Sequence, residues 1–161
     1  MTVLVWITEG TWPACVDAAR AHAPADADVV LLHVRDDDVP SVVRGAFRGL
    51  LGRGHPERDP GVHIERLAET SGAELLAAAA ERLDRPARRE ERHGRVEREV
   101  VAAAEGADLL VVARDGDRAR LGPHSLGPHA RFVVDHAPCP VLLVWPGEPP
   151  AVGSIPPPPH H

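Results

Sequence analysis

Apolar and polar residues alternate along this chain in blocks rather than one by one. Val3-Leu4-Val5-Trp6-Ile7 is an unbroken apolar run of strand length, the pattern of a parallel strand covered on both faces. Thr8-Glu9-Gly10-Thr11 makes a turn, and Pro13 falls where a first helical turn tolerates proline. Cys15, Val16, Ala18 and Ala19 then give the segment to His22 a small-residue helical face. Val29-Val30-Leu31-Leu32-His33-Val34 predicts a second strand.

Residues 35 to 66 are less regular. Asp36, Asp37 and Asp38 precede Val42, Val43, Ala46, Phe47, Leu50 and Leu51, which recur at helical spacing. The acidic triplet reads as a helix cap and solvated turn in preference to a magnesium site, because no second ligand set accompanies it. Gly52 to Gly61 is rich in Gly, Pro and charge and predicts a mobile loop. Ser71 and Glu74 have the spacing of a capping box that would start a helix presenting Leu75, Leu76, Ala79, Ala80 and Leu83, ended by Pro86.

Arg88 to Arg92 predicts a short, charged edge strand. After Gly94 a helix sets Val96, Val100, Ala103 and Ala104 on one face and Glu97, Arg98, Glu99 and Glu105 on the other. Ala107-Asp108-Leu109-Leu110-Val111-Val112-Ala113 predicts a buried strand, followed by a Gly- and Arg-rich loop to Gly127 and a short helix through Asp135. Val141-Leu142-Leu143-Val144-Trp145 closes the pattern. Residues 1–146 are expected to form one domain, and the Pro-rich 147–161 a disordered tail.

Strands alternating with helices imply an α/β fold, a doubly wound parallel sheet with helices on both faces and right-handed crossovers. Ligands of such sheets sit beyond the carboxyl ends of the strands, where strand order reverses. The loops after Ile7, Val34 and Ala113 are therefore the candidate site.

Composition narrows the partners. The hydrophobic fraction is 43% but the aromatic fraction only 3%, so the core must be built from Val, Leu and Ala. All 18 basic residues are Arg, which rules out a phosphate loop built on lysine. A net charge of −6 argues against nucleic acid, and no apolar run approaches the ~20 residues of a membrane span. With only Cys15 and Cys139, a disulfide framework is not expected, and the chain reads as cytoplasmic.

The C-terminal half carries a recognisable sequence. Ala107 to Ala113, then a glycine loop, then His136-Ala137-Pro138-Cys139-Pro140-Val141-Leu142-Leu143-Val144, resembles the universal stress protein family. The resemblance covers about residues 2 to 146, with 35 to 66 matching only in being variable. It implies five parallel strands in the order 3-2-1-4-5, and a homodimer paired through the last strand, here Val141, Leu142, Leu143, Val144 and Trp145. The alternative is that Trp145 simply covers the end of the core.

Nucleotide-binding members of that family carry Gly-x2-Gly-x9-Gly followed by Ser or Thr after the fourth strand. Glycines let the backbone approach the phosphates, whose oxygens accept from amides and a hydroxyl. In this sequence the corresponding positions are Ala113, Gly116 and Gly127, with ten residues between the two glycines, and Pro128 stands where the hydroxyl belongs. Thr8, with Glu9 beside it, replaces the family's acidic residue after the first strand. The motif is degraded, so the leading expectation is a stress-response regulatory or scaffold domain that does not depend on ATP and works with an unidentified regulatory protein.

The alternative is an ATP or AMP switch, with magnesium, whose cleft is lined by Thr8, Glu9, Gly10, Val34, Ala113, Arg114, Gly116, Ser125 and Gly127. Arg114, Arg118 and Arg120 would then contact phosphates and Ser125 would supply the lost hydroxyl. The first reading requires a cleft closed by side chains; the second requires an open cleft with inward-facing amides.

Leu121-Gly122-Pro123-His124 recurs as Leu126-Gly127-Pro128-His129, a local duplication that accounts for the extra loop residue and the proline. His124, His129 and His136 are weak metal candidates, since nothing in the sequence makes them converge. Cys15 lies near a helix N-terminus, where a thiol pKa can fall and allow redox sensing, but a buried structural Cys is the commoner outcome. No Gly-x-Ser-x-Gly or Ser-His-Asp setting occurs, so a non-enzymatic role is expected. Slow ATP hydrolysis with Glu9 or Asp36 near the phosphates is the weaker alternative.

Overall fold

The apolar runs become the strands of one parallel sheet. In the computed structural model, which describes residues 1–36 and 60–159 (the backbone alone over 60–70), the strands are β1 (Thr2–Trp6), β2 (Asp28–Asp36), β3 (Arg88–Gly94), β4 (Leu109–Ala113) and β5 (Val141–Val144). Their order is β3-β2-β1-β4-β5, and every pairing is parallel. β1 lies at the centre, with Val3 opposite both Val29 of β2 and Leu109 of β4.

Successive strand residues point to opposite faces, and each face has its own helix layer. Val3, Val5, Ile7, Val29, Leu31 and Val111 pack with Cys15, Val16 and Ala19 of α1 (Trp12–His22) and with Leu76, Ala79 and Leu83 of α2 (Pro60–Leu83). Leu4, Trp6, Val30, Leu32, Val34 and Val112 pack on the other face with Val100 of α3 (Val96–Ala103) and with Ala130 and Val133 of α4 (Pro128–His136). Helices on both faces explain why the strands are continuously apolar. β3 is the exception: it is an edge strand paired with β2 alone, and its Arg and Glu residues keep that edge soluble. Among the described residues no helix is long and apolar enough to cross a membrane.

One helix start differs from the expectation. Ser71 and Glu74 do not open a helix, because α2 already runs from Pro60, where proline suits a first turn. They lie inside the helix, on either side of the buried Gly72. A Cβ on Gly72 would overlap Glu91 Oε1 and come within 2.8 Å of His33 Nδ1, so a side chain there would have to displace those two side chains. Pro60 and Gly61 are helical rather than loop, whereas the rest of the expected loop and Asp37, Asp38, Val42, Val43, Ala46, Phe47, Leu50 and Leu51 lie outside the described residues. Asp84, at φ 53, ends α2 in the left-handed conformation.

The α1–β2 turn is held from outside by α2's C-terminal end. Arg85 donates to the carbonyl oxygens of Ala23 (3.4 Å), Pro24 (2.8 Å), Ala25 (3.2 Å) and Ala27 (3.0 Å). One guanidinium thereby satisfies four carbonyls that follow a helix terminus. Arg85→Ala is expected to destabilise the fold by ~2 kcal/mol, because several acceptors lose a charged donor together. A lowered urea midpoint with an unchanged slope would bear this out, and an unchanged midpoint would refute it. The neighbouring Arg82–Asp17 pair is bidentate, at 2.9 and 2.8 Å, and Arg82 holds the Asp17 carboxyl below its usual range. Both partners are about half exposed, so solvent screening leaves the pair little weight in stability.

Candidate functional site

β1 has β2 on one side and β4 on the other, so the loops leaving β1 and β4 diverge to opposite faces. This is the topological switch point, where a doubly wound sheet opens a crevice.

The first loop, Ile7 to Thr11, is short and tightly tied. Thr8 O accepts from the Trp12 N–H at 3.0 Å and from the Thr11 N–H at 3.4 Å, and the Thr8 and Thr11 hydroxyls lie 2.5 Å apart. Thr8's hydroxyl is therefore engaged with Thr11, which is buried. Glu9 and Gly10 are exposed, and the space beside Gly10 Cα is open. Val34 does not line this loop as a free surface; it is buried in the layer beneath α3 and α4.

The second loop, Arg114 to Gly127, spends its polar groups on itself. The Gly116 N–H donates to Ser125 O (2.9 Å) and the Asp117 N–H to His124 O (2.8 Å), which draws the two arms of the loop together. The Gly127 N–H donates to Asp115 Oδ1 at 2.6 Å, and the Ala119 N–H to Asp117 Oδ1 at 2.8 Å. Ser125, only 1% exposed, donates its hydroxyl to Gly122 O (2.7 Å) and accepts from Arg114 Nη1 (2.5 Å). The helix behind, α4, begins at Pro128, which has no N–H to offer.

Gly116 has a reason internal to this loop. A Cβ there would overlap His124 O and stand 2.9 Å from the Ser125 carbonyl carbon, both backbone atoms. The close approach is made to the loop's own chain. Arg114 is equally committed: its backbone N–H donates to Val144 O, and its guanidinium lies 4.7 Å above the Trp145 ring as well as on Ser125. Its Nε is buried without a hydrogen-bond partner. Ala113 is buried, while Arg118 and Arg120 project from the exposed part of the loop.

The expected residues thus fall into two groups. Arg114, Gly116 and Ser125 come together with Trp145, and Gly127 joins them through Asp115. Thr8, Glu9 and Gly10 belong to the other loop. Sequence reasoning missed Asp115 as the acceptor for Gly127, because an Asp twelve residues away in a loop has no spacing signal. In the Pro-rich segment a 3-10 turn spans Val152–Ser154, and Ser154 Oγ accepts from the Leu121 N–H at 3.0 Å. Pro156 borders a cavity of about 140 Å³ against Leu121, Gly122 and Pro123.

The remaining candidates are placed as follows. His129 Nδ1 lies 2.9 Å from Glu97 Oε2, joining α4 to α3, and His136 Nδ1 is 2.7 Å from Phe132 O with its ring stacked on Phe132. Glu97's carboxyl is held below the usual carboxylate range, first by its own backbone amide at the start of α3 and further by His129. No group of three metal-ligating side chains occurs among the described residues. Cys15, near the start of α1, is wholly buried, and burial pushes its thiol up to about 12. Desolvation outweighs any benefit of the helix terminus, in keeping with the expected buried structural Cys rather than a reactive thiol.

Comparison with known proteins agrees with this architecture. The description "Universal stress protein family" matches residues 2–144, and the chain belongs to that family. A universal stress protein solved in complex with cAMP superposes with a TM-score of 0.58 at 20% identity, covering 91% of this chain and 98% of the other. UspA from Lactobacillus plantarum gives 0.56 at 21%, covering 89% and 97%. A universal stress protein family protein from Arabidopsis thaliana with AMP bound gives 0.57 at 20%, covering 90% and 91%. At such identities the likeness establishes a shared fold. No curated protein matches the chain.

Proposed function

We propose that this universal stress protein acts in the stress response as a regulatory or scaffold domain that does not require a bound nucleotide. One observation carries the reading: the β4–α4 loop closes on itself. The amides of Gly116 and Gly127 and the hydroxyl of Ser125, the donors a phosphate would need, already serve Ser125 O, Asp115 and Gly122 O. Binding a phosphate there costs those bonds first, while Pro128 supplies no replacement. Arg114 would in addition have to leave Trp145 and Ser125.

The second reading is an ATP or AMP switch, with magnesium. It is favoured by two solved relatives of the same fold that hold cAMP and AMP, and by the open space beside Gly10. Thr8, Glu9 and Gly10 would line the cleft from one side and Arg114, Gly116, Ser125 and Gly127 from the other, over Val34 and Ala113. Slow hydrolysis, with Glu9 or Asp36 near the phosphates, would be an extension of this reading.

Calorimetry on nucleotide-stripped protein decides between them. With ATP, ADP, AMP and cAMP, with and without magnesium, no heat of binding is expected up to ~1 mM ligand, weaker than about −4 kcal/mol. Micromolar binding would sink the proposal and establish the switch.

The domain is further proposed to pair through β5. That strand has a neighbour on one side only, β4, and Val141, Leu142, Leu143 and Val144 are each half-buried. An uncovered parallel edge of this kind invites a second strand. Light scattering should give twice the chain mass; a monomer mass at ~100 µM would refute the pairing.

A further inference from the structure

The Pro-rich segment after Pro146 displays apolar surface that none of the described residues covers. Among the described residues the exposed large apolar side chains are Met1, Val152 and Ile155, so two of the three lie within four residues of each other on this segment. Val152 is 76% exposed and Ile155 55%. Isolated exposed apolar residues are ordinary, but two of them three positions apart on an anchored peptide are not.

The anchoring is explicit. Ser154 accepts from the Leu121 N–H through Oγ (3.0 Å) and donates the same hydroxyl to Ala151 O (2.6 Å). The Ser154 and Ile155 amides close the 3-10 turn on Ala151 O and Val152 O. Beyond it, Pro156, Pro157, Pro158 and Pro159 are all exposed. Each proline ring fixes φ, and each residue before a proline is kept extended. Ile155 (φ −61°, ψ 122°) and Ala151 (φ −64°, ψ 153°) already lie in or near the polyproline II region. The run is therefore pre-ordered as a left-handed helix, and little conformational entropy remains to be lost on binding.

Four consecutive prolines present no N–H, so the segment can neither extend a sheet edge nor continue a helix. What it offers is ring faces, carbonyl oxygens and the Val152 and Ile155 side chains. We infer that Val152–Pro159 is a docking peptide for a partner protein with a groove of aromatic side chains that receives a polyproline II helix. The inference goes beyond the regulatory reading above and is independent of whether a nucleotide binds.

Other occupants fit less well. Among its described residues a second copy of this chain offers no such groove: of its five aromatic residues, Trp6 is buried, Trp12 packs on the α1–α2 layer, Trp145 carries Arg114, and Phe132 carries His136 and Arg98. The fifth, Phe47, lies outside the described residues. An anionic membrane or nucleic acid would want cations, yet the only charge between Pro146 and Pro159 is Glu148.

The test uses the full chain, immobilised, and purified SH3, WW and EVH1 domains as probes, read by interferometry. At least one probe should bind. A variant carrying Pro156→Ala, Pro157→Ala, Pro158→Ala and Pro159→Ala should lose about tenfold or more in affinity for it. Its thermal midpoint should stay near that of the parent, since those rings are exposed, and this separates lost docking from lost folding. Ile155→Ala should weaken binding by a smaller factor. Silence from all three probes up to ~1 mM, or binding that survives the four replacements, overturns the inference.

Discussion

Raising the pH through the window from 9.0 to about 12 should destabilise this fold, and Cys15→Ala should remove most of that dependence. Burial raises the folded thiol's pKa above the unfolded value, so the neutral thiol is the form the core accepts. Below 9.0 both states hold the proton and the contribution is fully present. Above it the unfolded chain releases a proton that the folded chain retains, so stability falls by up to ~1.4 kcal/mol per pH unit until the folded pKa is reached. Across the whole window the loss is on the order of 4 kcal/mol.

Composition makes the experiment unusually clean. The chain has no Tyr and its 18 basic side chains are all Arg, so the phenols and ammonium groups that ordinarily titrate here are missing. Cys139 is also raised, by partial burial and then by Asp108, and acts with the same sign. Urea midpoints for the parent, Cys15→Ala and Cys139→Ala should be taken at several pH values above about 8.5. Comparing slopes rather than absolute stabilities removes the packing cost of the substitutions. Equal slopes for the parent and Cys15→Ala would show that the thiol is not sealed in the core as described.

Gly116→Val carries the second large effect, ~3 kcal/mol or more of lost stability. The new Cβ meets His124 O and the Ser125 carbonyl, and main-chain atoms cannot swing aside as the tip of a side chain can. Accommodation therefore means opening the loop and losing the Gly116–Ser125 and Asp117–His124 bonds. Gly127→Ala should be milder, ~1 kcal/mol, because its nearest obstacle is the Asp115 carboxylate at 2.9 Å, which can rotate. Hydrogen exchange at residue 117 should accelerate in Gly116→Val along with the fall in urea midpoint. A loss under about 0.5 kcal/mol would mean that the loop does not depend on self-closure. It would also favour the nucleotide reading, in which this glycine exists for a phosphate.

The strands were legible because their information is local. Val3–Ile7, Val29–Val34, Leu109–Ala113 and Val141–Val144 are, His33 apart, apolar on both faces, which only a sheet sandwiched between helices accommodates. The charged edge strand was legible for the converse reason. The start of α2 was not. Ser71 and Glu74 carry a capping pattern, but helix propagation from Pro60 passes straight through it, and the pattern ends up in mid-helix around the buried Gly72. The glycine loop was half legible: Pro128 and the extra residue mark a departure from the family's Gly-rich pattern. They do not say which acceptors the loop's amides meet.

The sequence alone determined the α/β class, the order of strands and helices along the chain and the absence of lysine from any phosphate site, since each follows from residue type and local periodicity, and the resemblance of the Ala107–Ala113 and His136–Val144 segments pointed to the family. Only the tertiary structure decided that Gly127 is answered by Asp115, that Arg114 is held between Trp145 and Ser125, that Cys15 is sealed in the core, and that Ser154 ties the Pro-rich segment to Leu121. Those pairings join residues far apart along the chain. Hydrogen-bond partners and desolvation depend on what folding brings within a few ångströms, and no spacing in a one-dimensional sequence encodes that distance.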